Sequence, residues 1–166
     1  MKNLLLLLLL ILSIVSCSNI AKKTLLINKE DITTYKTSAT ELLSKNKSKA
    51  TKDEINSMSL KLIEHARPIM IGFKQEHPQC TELMNFVMSR AKAMSKLSLE
   101  EIEEQFHLGS ALPKTDDICL DAKELIVHPA TVAIITNKIT LTKDLRTKID
   151  DEIEEVLAHI DMLTEL

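Results

Sequence analysis

Apolar residues recur at steps of three and four along most of this chain, and that spacing restricts it to packed amphipathic helices. Ile32, Tyr35, Ala39, Leu42 and Leu43 predict a first helix near 29–45. Ile55, Met58, Leu62, Ile63, Ala66, Ile69, Met70 and Phe73 predict a longer second helix, opened by the capping pair Thr51 and Glu54 and kinked or restarted at Pro68. Pro78 suits a first helical turn, after which Cys80, Leu83, Met84, Val87, Ala91 and Met94 form one face. Ser98 with Glu101 repeats the capping signal and opens a short helix bearing Leu99, Ile102 and Phe106. Residues 107–115, with Gly109 and Pro113, read as a loop. The next helix runs through Cys119, Ala122, Leu125 and Ile126 to His128, where Pro129 is expected to interrupt it. Residues 130–135 fit a buried helix or a strand; helix is preferred because nothing nearby reads as a pairing partner. Leu145, Ile149, Ile153, Val156, Ile160 and Leu163 stripe a long final helix.

Two glycines and four prolines leave few turns for a β-sandwich and exclude a glycine-rich phosphate loop. The expectation is an all-α fold, a helical bundle of four principal helices plus a short extra helix at 98–106. Three phenylalanines, one tyrosine and no tryptophan give no stacking platform for single strands, and the net charge of −3 offers no phosphate-binding surface. No nucleic-acid partner is expected.

The first residues follow a different pattern. Lys2 supplies a positive start, Leu4 to Leu12 is an unbroken apolar run, and small and branched residues lead to Cys17. The run is too short to span a bilayer and has the layout of a secretory signal. Ile14-Val15-Ser16-Cys17 resembles the lipobox of bacterial lipoproteins. The resemblance implies that a diacylglycerol is attached to the Cys17 sulfur, that 1–16 is removed as a signal peptide, and that the new amino terminus is acylated. It covers residues 1–17 and implies nothing about the activity of the rest. Ordinary secretion after cleavage at Ser16 is the alternative. With Ser18 rather than aspartate after the cysteine, the family's sorting rule implies an outer-membrane anchor facing the periplasm. Two or three acyl chains hold a protein at a bilayer where one chain does so only marginally. Residues 17–28 then form a lipidated tether and 29–166 a single helical domain. Removing Lys2 with the signal leaves 20 basic against 24 acidic residues, a mature charge of −4.

With Cys17 taken by lipid, Cys80 and Cys119 remain, and in an oxidising compartment such a pair points to a disulfide. Two buried thiols on helix faces are the alternative. The bridge would close a loop of about 39 residues and contribute roughly 3–4 kcal/mol.

Catalytic constellations are mostly excluded. G-x-S-x-G, H-E-x-x-H and C-x-x-C-H do not occur, and lipid and disulfide leave no cysteine nucleophile. The carboxylate runs Glu100-Glu101-Glu103-Glu104 and Asp150-Asp151-Glu152-Glu154-Glu155 are expected on solvated faces. Glu104 and His107 form one Glu-x-x-His pair, but a di-iron bundle needs two, and His128 and His159 each follow a glutamate by four. A mononuclear metal on Glu104 and His107 with a distant His65 or His128, or haem held by Met and His, is a minor alternative. No metal and no cofactor beyond the lipid on Cys17 is expected. The segment from the 107–115 loop to Pro129 supplies the candidate ligand or partner site: His107, Asp117, Lys123 and His128. Its structural alternative is a His128 that caps a helix end at the proline. The leading expectation is a non-enzymatic, lipid-anchored envelope protein that binds an envelope partner as an interaction, inhibitor or assembly component. The second is a periplasmic module that binds a small ligand, metal or haem inside the bundle. An enzyme comes third.

Overall fold

The computed structural model describes residues 27–138 and 140–165. The expected signal peptide, Cys17 and most of the expected tether therefore lie outside the described residues. Everything described is helix, turn or loop, as the apolar spacing requires. Helix α1 spans Lys29–Lys47 and starts at Asn28, whose side chain accepts the Glu30 N–H. Helix α2 spans Lys52–Glu76 behind Thr51, whose hydroxyl accepts the Glu54 N–H. A 3₁₀ turn, Pro78–Cys80, leads into α3, Thr81–Met94. Helix α4, Leu99–Ile102, carries the full reciprocal capping box of Ser98 and Glu101 and continues as a π-helical turn, Glu103–His107. Helices α5 and α6 span Asp117–Thr136 and Lys143–Glu165.

The four longest helices close into a square. α1 packs on α2, α2 on α5, α5 on α6, and α6 returns to α1. α3 and the α4–π segment then cover the outer side of α5. This second layer explains why α5 is buried at every residue from Leu125 to Thr136. It also explains why residues 130–135 lack the polar face of an ordinary amphipathic helix. On α6, Ile149, Ile153, Val156, Ile160 and Leu163 all face the core. Each such side chain stabilises the fold by about 1.5–3 kcal/mol relative to exposure.

Neither internal proline divides its helix. Pro68 lies within α2, and Pro129 lies within α5, which runs on to Thr136 instead of ending near His128. Proline has no N–H, so Pro129 deprives the Leu125 carbonyl, four residues earlier, of its helical donor. The Tyr35 hydroxyl of α1 donates to that carbonyl at 2.8 Å and satisfies it deep in the core. A neighbouring helix thus supplies the bond the proline removes.

The expected disulfide is present. Cys80, in the 3₁₀ turn, is bonded to Cys119 in the first turn of α5, with 5.3 Å between their α-carbons. The bridge fixes both ends of the segment that contains α3, α4, the π turn and the following loop. Within that loop Gly109 adopts φ +83°, a left-handed conformation that disfavours a β-carbon. At the opposite end of the bundle, buried Asn46 donates to Asp150 Oδ1 and to the Arg146 carbonyl, tying α1 to α6. No helix among the described residues is long and apolar enough to cross a membrane.

Candidate functional site

Three elements bring polar side chains into the interior where α5 meets α6. On α5, Glu124, His128 and Thr131 are spaced four and three apart, so they share one face, with Lys123 beside them. On α6, Glu152 and the half-buried His159 share another, with the exposed Glu155 at its rim. The third element is the π turn. Its Leu108 N–H reaches back five residues to the Glu103 carbonyl at 2.8 Å. This wider turn keeps Phe106 in the core, 6.3 Å from the Phe86 ring, while the next residue, His107, reaches across to α5. Single π turns of this kind recur where a helix must present a side chain out of phase.

His128 is the centre of the group. Its side chain is 4% exposed, and Nδ1 donates to Glu152 Oε2 at 2.8 Å, the carboxylate being able only to accept. Its Nε2 lies 3.5 Å from Glu155 Oε2 and 3.8 Å from Glu124 Oε2. The His107 ring is 4.9 Å from the His128 ring, and the His159 ring stacks on the other side at 5.4 Å. His159 Nδ1 is held by Asp121 at 3.1 Å. His107 Nε2 lies 3.2 Å from the Thr131 hydroxyl. That hydroxyl donates to the Val127 carbonyl, so it accepts from His107 and the Nε2 of His107 carries a proton.

Glu124 joins the parts. Its Oε1 accepts from the ammonium of Lys123, a side chain only 2% exposed. Its Oε2 is buried and lies 3.4 Å from His107 Nδ1, a charge pair that lacks the alignment of a good hydrogen bond. Burial works against the Glu124 charge, but His107, Lys123 and His128 outweigh it and hold the carboxyl down at about 2. Burial likewise works against charging His107, and there Glu124 and Glu152 win, raising it above its ordinary value. His159 goes the other way: desolvation lowers it, helped by His128 and only partly opposed by Glu124 and Asp121. One ammonium facing two shielded carboxylates leaves the interior negative unless a further cation or proton joins it.

Of the residues singled out from sequence, His107, Lys123 and His128 meet here. Asp117 does not: it is exposed in the first turn of α5, six residues or about 9 Å of helix before Lys123. Glu104 is exposed, and His65 bonds Ser38 in the α1–α2 interface instead. His128 caps no helix end, because α5 continues through Pro129. The solvated reading of the 150–155 carboxylates fails for Glu152, whose side chain is 12% exposed and bonded to His128. Sequence reasoning missed Glu124 and Glu152. The spacing of Glu124 and His128 by four was a usable sign of a shared face. Glu152 stands one residue before the apolar stripe position Ile153, at the edge of the core face, where a carboxylate can turn inward. Compared with protein-family models, curated proteins and solved structures, the chain matches none, so the site is read from its own chemistry.

Proposed function

We propose that this chain is a lipid-anchored, non-catalytic binding protein of the bacterial cell envelope, held at the membrane through Cys17 and taking a small ligand inside its helical bundle. Of the two readings drawn from sequence, the interior binding module is the one the geometry favours. The observation that carries it is the buried group of His107, Lys123, Glu124, His128 and Glu152, in which Glu124 Oε2 faces two imidazoles at 3.4 and 3.8 Å without a well-aligned hydrogen bond. A buried oxygen left without a hydrogen bond costs about 1–3 kcal/mol, and natural cores rarely carry one without a use. For a partner-docking face no comparable feature stands out. The exposed large apolar side chains Leu60, Ile71, Leu108, Leu120 and Met162 are distributed over several elements. The disulfide removes Cys80 and Cys119 as nucleophiles.

The test is to purify the full-length protein from detergent-solubilised envelopes of its own host and analyse what it carries by native mass spectrometry and elemental analysis. A ligand present in the wild type and lost in Glu124→Gln and His107→Gln supports the reading. Identical contents in wild type and variants refute it.

A further inference from the structure

The cluster contains the parts of a metal centre. One ligand atom from each of His107, His128 and Glu152 can be chosen so that all lie within 4.8 Å of one another. A four-coordinate ion with bonds near 2.1 Å needs its donors about 3.4 Å apart, so closing the set asks for shifts of about 1 Å. Glu124 Oε2 lies 3.4 Å from one imidazole and 3.8 Å from the other, so it faces the same space as the three other donors. The supporting shell is also in place. Lys123 fixes the other Glu124 oxygen, and Thr131 accepts the Nε2 proton of His107, so Nδ1 is the nitrogen turned toward Glu124. Such outer partners orient the ligands of real metal sites. The donors are two imidazoles and carboxylates, with no thiolate, and they come from three separate elements. Nitrogen and oxygen donors in that ratio suit a borderline divalent ion rather than calcium or copper(I).

We propose that His107, His128 and Glu152, with Glu124 Oε2 completing the set, bind one divalent transition-metal ion of the zinc class. This rests on the binding-module reading and names its ligand. The ion adds positive charge beside two shielded carboxylates and one ammonium. It also cross-links the π turn, α5 and α6 through one point. An ion held this way is structural or transported cargo.

The experiment titrates chelator-stripped, full-length protein in detergent with Zn²⁺ by calorimetry, and with Co²⁺ by visible absorption. One equivalent of Zn²⁺ should bind, and Co²⁺ should give the intense d–d bands of a four-coordinate site. His107→Gln and Glu152→Gln, nearly isosteric and each checked for retained helicity, should weaken Zn²⁺ binding at least ~100-fold. His65→Gln, on a histidine far from the site, should leave it unchanged. Absence of stoichiometric binding, or binding that survives both variants, overturns the metal assignment. Should the host-purified protein then still carry a non-metal ligand that His107→Gln abolishes, the binding-module reading stands without the metal. If it carries none, both fall.

Discussion

Reducing the Cys80–Cys119 bridge should cost this protein about 4 kcal/mol of stability while leaving its helices formed. The two cysteines are 39 residues apart. Closing a loop of that length removes about 13 cal/mol/K from the unfolded ensemble, or about 4 kcal/mol at 25 °C. The native side of the balance should change little, because both cysteines are fully buried and their thiols can stay where the sulfurs were. Leu83, Met84 and Val87 still hold α3 to the core without the bond. For a domain of this size the loss corresponds to a fall in Tm of roughly 10–15 °C. Urea denaturation followed by far-ultraviolet circular dichroism, with and without reductant, measures the free-energy difference directly. Hydrogen exchange should show the earliest added opening in the 108–116 loop and the adjoining π turn, which the bridge pins. Titration of the unfolded, unreduced chain should find neither thiol reactive. Two reactive thiols, or a stability difference below about 1 kcal/mol, would refute the reasoning.

Tyr35→Phe should cost about 1–3 kcal/mol in urea denaturation, because it leaves the buried Leu125 carbonyl without a donor. Pro129→Ala restores a backbone N–H there, so the same tyrosine change should cost clearly less in that background; equal losses would rule out the proposed substitution of one donor for the other. For the metal-free protein, Glu124, held at about 2 against an ordinary 4.5, binds fewer protons folded than unfolded. Its contribution, at most about 3 kcal/mol, is complete above pH 4.5 and lost as pH falls toward 2. Glu124→Gln should flatten that acid limb in denaturation curves collected across pH. His107, raised by the same partners, contributes with the opposite sign: its share is full below 6.5 and fades as pH rises through its folded value. Cys17→Ser should release the protein from the membrane fraction of its host and abolish incorporation of labelled palmitate; unchanged fractionation would remove the lipid anchor from the proposal.

Helix positions were legible in the sequence because the cause is local. A 3.6-residue turn places Ile149, Ile153 and Val156 on one side whatever surrounds them, and Thr51 and Ser98 satisfy N–H groups three residues away. The disulfide was legible for a different reason: once Cys17 is set aside, Cys80 and Cys119 are the one remaining pair, each in phase with apolar neighbours near a helix start. The candidate site was legible only in part. Glu124 and His128 share a face by spacing alone, yet nothing local says that the face points inward. That was decided by α3 and the π turn covering α5 from outside, which turned an ordinary polar stripe into an interior one. Pro129 shows the same limit. Local chemistry makes it a helix breaker, and the Leu125 carbonyl it leaves without a donor is satisfied by Tyr35, 90 residues away. Glu152 looked solvated because five acidic residues crowd 150–155, and the rotation of α6 against α5 alone selects which of them meets His128. Where helices form, and which side of each is apolar, follows from residues close together in the chain. Which polar groups meet across the helices follows from packing, because those contacts depend on the angle and register of elements far apart in the chain.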